Sequence, residues 1–181
     1  DKKQNALIPL QRAAKAKFDK QISEDALYNY AKLCYELSYN PYNEAIRAFQ
    51  SYIDNYPKSI HLDEAYTYLT NCFLTSKSYK DALEAIEKVK ELTPDLRHIY
   101  QKVAYYRGID LFNNNQYTEA IKLFDKSTQY NFDKTIRADA TYWKAEALYR
   151  LNDYEKAISF YSDYMDEPGA IGTMEFSDAN Y

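Results

Sequence analysis

A short phrase that begins with tyrosine returns four times along the chain at a nearly constant interval. It reads YNEAIRAF at 42–49, YKDALEAI at 79–86, YTEAIKLF at 117–124 and YEKAISFY at 154–161, so that the opening tyrosines are 37, 38 and 37 residues apart. Self-similarity at a period of about 20–50 residues is typical of stacked units that bury their apolar faces only against one another. The period therefore predicts a repeat array.

A second helix-length segment precedes each phrase and carries one small residue near its middle: Ala31, Thr70, Gly108 and Ala145. Within the phrases an alanine recurs at 45, 82, 120 and 157, and four residues later stands a bulky residue, namely Phe49, Ile86, Phe124 and Tyr161. Residues four apart lie on the same face of a helix. Each repeat is thus predicted to be a pair of helices that approach closely at the small residues while the bulky ones interdigitate.

The composition favours an all-α fold and excludes several classes of function. Three glycines, five prolines and the absence of alternating apolar and polar runs leave little room for sheets. A net charge of −4 argues against a nucleic-acid-binding surface. No apolar stretch approaches the roughly 20 residues that a membrane helix needs, which predicts no membrane insertion by this segment. The two cysteines, Cys34 and Cys72, are too few for a disulfide framework and are predicted to be buried free thiols.

The register of the repeat predicts one continuous array over residues 1–181. We expect residues 4–22 to be the second helix of a truncated unit, four repeats at 23–59, 60–96, 97–134 and 135–168, and a tail at 169–181 that starts a further repeat. Pro57 and Pro94 each follow a second helix, where proline is expected to end it. Pro9 interrupts the first helix at a cost of about 3 kcal/mol unless the helix starts there. Both ends lack a cap, which predicts that the tail or self-association covers them.

These positions together resemble the tetratricopeptide repeat family. The resemblance rests on the small residue of each first helix, the tyrosine and alanine of the phrase, the aromatic four residues later, and the closing Pro57 and Pro94. It implies a right-handed superhelical array of antiparallel helix pairs, an α-solenoid. The period is longer than the family's roughly 34 residues, and the segments YPKS and EAYTYL are similar to those of long repeat proteins in Gram-negative envelopes. That similarity points to a periplasmic or outer-membrane-associated location, which the residues themselves do not identify.

No constellation for catalysis, metal or cofactor binding is apparent in the sequence. His61 and His98 are the only histidines, and neither takes part in an H-x-x-x-H or H-E-x-x-H spacing; C-x-x-C is absent as well. The chain has no G-x-S-x-G elbow and no glycine-rich phosphate loop. We therefore predict a non-enzymatic protein without a metal or a cofactor.

Tyrosine is the most unusual feature of the composition, with 21 copies. In each first helix, one residue lies three positions before the small residue and another lies four positions after it. These two residues are seven apart in the sequence, so they lie on one stripe of the helix surface. In the tetratricopeptide fold, the resemblance implies, this stripe lines a concave groove. Together with the residue that follows each small one, these positions form the first-helix stripe: Tyr28, Lys32, Tyr35, Thr67, Asn71, Leu74, Tyr105, Ile109, Phe112, Tyr142, Glu146 and Tyr149.

Two functions remain open at the level of the sequence. Aromatic side chains bury a large area at little entropic cost, so an aromatic groove suits a protein or peptide partner. The first-helix stripe is then the surface of an interaction scaffold. Alternatively, these rings pack between repeats, and the segment is a structural spacer without a partner site of its own.

Overall fold

The computed structural model describes residues 2–16, 19–37 and 42–171, and within these ranges it consists of helices and contains no strand. The nine helices are α1 (Lys2–Ala16), α2 (Lys20–Leu37), α3 (Asn43–Asn55), α4 (Leu62–Thr75), α5 (Tyr79–Ile86), α6 (Pro94–Asn113), α7 (Tyr117–Thr128), α8 (Lys134–Arg150) and α9 (Tyr154–Asp166). Consecutive helices pack against each other from α1 to α5 and from α6 to α9. The predicted all-α fold of paired helices is confirmed.

The chain divides into two compact units, Asp1–Glu91 with α1 to α5 and Leu92–Tyr181 with α6 to α9. Unit 1 has a core centred on Phe49 and Tyr52, both fully buried. In unit 2, Phe124 and Tyr164 are fully buried in the same way. None of the helices in the described ranges is long and apolar enough to cross a membrane.

The joint between α6 and α7 shows why the repeat phrase recurs. Gly108 of α6 lies directly against the ring of Phe124, and a Cβ atom built on it would be only 2.6 Å from Cε1 and 2.8 Å from Cδ1 of that ring. Phe124 is fully buried and has no space into which to move. The equivalent positions of the preceding repeat hold Thr70 and Ile86, a larger first-helix residue together with a smaller second-helix one. In these two repeats the sizes of the two joint residues thus compensate each other.

Two polar side chains lie at helix starts close to the predicted repeat boundaries. Asp19 Oδ1 accepts a hydrogen bond from the Ile22 amide at 3.0 Å at the start of α2. Thr93 caps α6, where its side chain accepts from the Leu96 amide at 3.2 Å. α2 begins directly after Asp19 and α6 directly after Thr93, so the repeat boundaries predicted at 22/23 and 96/97 fall inside these two helices. Pro94 accordingly opens α6 at a position that needs no amide donor, rather than ending α5, which stops at Ile86.

The two ends differ from each other in how they are built. Pro9 lies inside α1, which begins at Lys2 rather than at the proline. After α9 the chain folds back on the start of α8, where a Cβ on Gly169 would lie 2.1 Å from the Lys134 carbonyl oxygen. Ala170 is fully buried there. Gly169 and Ala170 of the predicted tail thus pack onto this part of unit 2, whereas Ile171 is exposed and 172–181 lie outside the described residues.

Candidate functional site

In unit 1 the first-helix stripe begins at Tyr28, which the structure places in the core. The side chain is 5% exposed, stacks on His61 with ring centroids 4.4 Å apart and packs 5.3 Å from Tyr52. Its hydroxyl is buried and has no hydrogen-bond partner within the described part of the chain. Burial raises the pKa of Tyr28, and the carboxylate of Glu64 raises it further. Tyr28 therefore anchors the contact between α2 and the start of α4.

Lys32, one turn further along α2, is held by neighbours on its own unit. Its ammonium lies 3.1 Å from Glu64 Oε1, and 5.2 and 5.7 Å from the ring centroids of Tyr28 and Tyr68. Burial lowers the pKa of Lys32, but the hydrogen bond and charge of Glu64 outweigh it, so that the pKa lies above its ordinary value. The lysine is thus a half-exposed cation with a fixed position.

The remaining unit 1 positions form a half-buried surface. Tyr35 lies 5.3 Å from Tyr42 and 4.9 Å from Tyr68, which in turn stacks on Phe49 at 5.0 Å. On α4 the hydroxyl of Thr67 donates to the Asp63 carbonyl at 2.8 Å. Asn71 and Leu74 are half-buried.

Sequence reasoning missed Glu64 and Tyr68, which belong to this surface. Both lie on α4 outside the seven-residue spacing that defined the stripe, so the spacing alone did not select them. The signal that points to Glu64 is a pair of opposite charges on two successive first helices, Lys32 on α2 and Glu64 on α4.

In unit 2 the α6 part of the stripe is half-buried. Tyr105 lies 5.1 Å from Tyr106 and 6.4 Å from Phe124, the ring that occupies the joint. Phe112 meets Trp143 edge to face at 5.0 Å, and Tyr117 in the same way at 5.2 Å. Ile109, which lies between Tyr105 and Phe112 in the sequence, is half-buried. This arrangement presents the edges and faces of several rings at one surface.

The α8 part of the stripe runs from the core to solvent. Tyr142 is 8% exposed and contacts Tyr161 and Tyr164 at ring distances of 5.8 and 5.3 Å. Glu146 accepts a hydrogen bond from the Tyr161 hydroxyl, and burial together with this carboxylate raises the pKa of Tyr161. Tyr149 is 51% exposed, and the ring of Tyr154 lies 5.4 Å from its ring. Its phenol is the most accessible of the six aromatic stripe residues.

Both cysteine side chains lie in the interior of unit 1. Cys34 and Cys72 are free and buried, as predicted, and burial raises the pKa of Cys72 to about 12. A thiol with so high a pKa is protonated at neutral pH and is a poor nucleophile. Within the described ranges, no three His, Cys, Asp or Glu side chains come together in a way that would hold a metal ion.

Four surface cavities of about 270 to 570 Å³ lie beside the second helices or at the turn before α4. None of the four is lined by a residue of the first-helix stripe. These four cavities therefore do not coincide with the first-helix stripe.

Comparisons with known proteins agree with this architecture. A family model described as tetratricopeptide repeat matches residues 105–169, and a second model of the same description matches residues 25–59. The two segments together span more than half of the chain. No curated protein matches. Seven chains of solved structures match, among them one titled "Crystal structure of MamA protein", with 16% identity over 92% of this chain and 82% of that chain and a TM-score of 0.50. At this identity the likeness concerns the fold.

Proposed function

Because the chain belongs to the tetratricopeptide repeat family, whose repeats are non-catalytic modules of protein interaction, we propose that it holds a protein or peptide partner against the first-helix stripe. All twelve residues named for the stripe take part in this proposal. The surface has one stretch in each unit, on α2 and α4 in unit 1 and on α6 and α8 in unit 2.

The observation that carries the proposal is the incomplete burial of the aromatic stripe residues. Tyr35, Tyr105 and Phe112 are half-buried and Tyr149 is exposed. Each ring is fixed on one side by another aromatic ring, so it loses little conformational freedom when a partner covers the other side. Rigid, partly exposed aromatic residues are the ones on which binding energy at protein interfaces concentrates.

The burial of Tyr28 and Tyr142 favours the second candidate, a structural spacer. Both rings pack within their own units rather than at the surface. Lys32 and Glu146 likewise have partners inside the protein. In a spacer the whole stripe would serve such internal contacts, and no partner would bind to it.

A binding experiment with a matched control separates the two candidates. Peptides selected from a random library against the full chain provide the ligand. We expect Tyr149→Ser, alone or together with Phe112→Ser, to weaken binding about tenfold or more, because truncating an aromatic hot spot costs about 2 kcal/mol or more. Fluorescence polarisation measures the affinity, and circular dichroism checks that helicity is retained.

Phe132→Ser is the control, since Phe132 lies in the α7–α8 connection, outside the stripe, and its 48% exposure is close to the 51% of Tyr149. Equal effects of the control and the stripe variants would contradict the proposal. A chain that is folded but selects no peptide would favour the spacer.

A further inference from the structure

A groove of unit 1 outside the first-helix stripe is lined by apolar side chains that the core covers only in part. It follows α4 between α3 and α5 and has a volume of about 270 Å³. Its floor consists of five apolar residues: Ile53, Tyr66, Leu69, Phe73 and Ala85. Leu69 and Ala85 are buried, whereas Ile53, Tyr66 and Phe73 remain half-exposed. We name this feature the α4 groove; it shares no residue with the first-helix stripe.

The repeat provides an internal comparison for the floor. The same groove of unit 2 follows α8 between α7 and α9, where Thr128, Thr141 and Lys144 stand in the places of Ile53, Tyr66 and Leu69. There Lys144 lies 2.5 Å from Asp125 and 3.7 Å from the ring centroid of Phe160. The architecture thus accepts a polar floor at these positions, and packing of the repeat alone does not account for the apolar floor of the α4 groove.

The rim of the α4 groove is mainly acidic. Asp54 at the end of α3 and Asp81 at the start of α5 are exposed, and neither makes a hydrogen bond or ion pair with the residues that the structure describes. Glu84 lies 3.9 Å from Lys80, and Lys88 is a rim cation. At the place of Asp81 in unit 2 stands Lys156. Two unpaired carboxylates beside an apolar floor are complementary to a segment that joins apolar and basic side chains.

We propose that the α4 groove docks a short segment of a protein partner in which leucine or phenylalanine is flanked by lysine or arginine. The apolar side chain covers Tyr66 and Phe73, and the flanking cations meet Asp54 and Asp81. The proposal is independent of the stripe, because it concerns other residues and requires a ligand of defined charge.

Fluorescence polarisation with three synthetic peptides tests the proposal on the full chain. One peptide alternates leucine or phenylalanine with lysine, the second has glutamate in place of lysine, and the third has serine in place of the apolar residues. We expect only the first to bind appreciably at low salt. Asp54→Lys with Asp81→Lys should weaken its binding about tenfold or more, because both attractive charges become repulsive. Tyr66→Thr introduces the residue that stands at the equivalent position of unit 2. This variant should also bind the first peptide more weakly.

Glu119→Lys with Glu155→Lys is the matched control. Both glutamates are exposed first-turn residues of second helices, as Asp81 is, and the double reversal changes the net charge equally. The control variant should bind like the unmodified chain. Equal losses in both double variants, or equal binding of the serine-containing peptide, would reduce the interaction to non-specific charge attraction and overturn the proposal. Self-association of the chain that Asp54→Lys with Asp81→Lys abolishes would overturn it in favour of a second copy as the occupant.

Discussion

Replacing Gln101 with leucine is expected to lower the free energy of unfolding of unit 2 by about 3 kcal/mol. Gln101 is fully buried in α6. Its Nε2 donates to the carbonyls of Tyr130 at 3.1 Å and Asp133 at 2.9 Å, while its Oε1 accepts from the Asp133 amide at 2.9 Å. Leucine fills the space but leaves the Tyr130 carbonyl and the Asp133 amide without their partner, whereas the Asp133 carbonyl still accepts from the Arg137 amide at 3.1 Å. Each group left without a partner costs about 1–3 kcal/mol where water cannot reach it.

The effect should extend to the start of α8. Asp133 caps this helix, with Oδ1 accepting from the amides of Thr135 and Ile136 at 3.1 Å each. Gln101 holds the backbone of this cap in place. Urea unfolding followed through the fluorescence of Trp143, the single tryptophan of the chain, reports on unit 2, and hydrogen exchange at the Asp133 amide reports on the cap. We expect a lower midpoint with an unchanged slope, and faster exchange.

Asp63→Leu is the control for Gln101→Leu. Asp63 occupies the equivalent position of the preceding repeat, seven residues before the small residue, and makes one exposed contact of 3.5 Å with the Lys90 amide. Its replacement should cost less than about 1 kcal/mol in unit 1. If Gln101→Leu lowers the free energy of unfolding no more than Asp63→Leu does, the buried hydrogen bonds of Gln101 do not stabilise the connection between α7 and α8.

The second large effect is expected at the joint of Gly108 and Phe124. Gly108→Thr should destabilise unit 2 by about 3 kcal/mol, because the added atoms collide with a fully buried ring that lies within 2.6 Å of the new Cβ. Phe124→Ile alone should cost about 1–2 kcal/mol through the volume it removes. The double variant reproduces the Thr70 and Ile86 combination of the preceding repeat. Its loss in free energy of unfolding should be about 2 kcal/mol smaller than the sum of the losses of the two single variants.

Urea unfolding of the four proteins in this cycle, again followed by Trp143, gives the coupling energy. Ile136→Val provides the control, since Ile136 is a buried residue at the start of α8 and should add to Gly108→Thr without coupling. Strict additivity of Gly108→Thr and Phe124→Ile would contradict the account of compensating residue sizes.

The fold was predictable because the sequence repeats the residues that determine it. The small residues and their bulky partners return at one spacing, and all of them except the half-buried Tyr161 are buried in the structure, as helix geometry predicts. Helix starts were less predictable. Proline was expected to end a helix at Pro94, whereas the cap of Thr93 makes it the first residue of α6. Capping depends on the local backbone conformation, which a repeat pattern does not contain.

The burial of the stripe residues could not be predicted from their spacing in the sequence. Tyr28 and Tyr142 occupy equivalent stripe positions and are both buried, whereas Tyr149, seven residues after Tyr142, is exposed. Whether a ring is covered depends on side chains from other helices, such as His61 over Tyr28 and Tyr164 beside Tyr142. Those contacts arise from tertiary packing. The acidic rim of the α4 groove likewise becomes apparent only when α3 and α5 lie on either side of α4.

Two-dimensional NMR of the full chain, titrated with a peptide selected against it, is the most direct test of the claim that this protein binds partners through its first-helix stripe. The account predicts that the largest chemical-shift changes occur at stripe residues such as Tyr105, Phe112 and Tyr149, while the joint residues Ala120 and Phe124 change little. Shift changes confined to the second helices would contradict it.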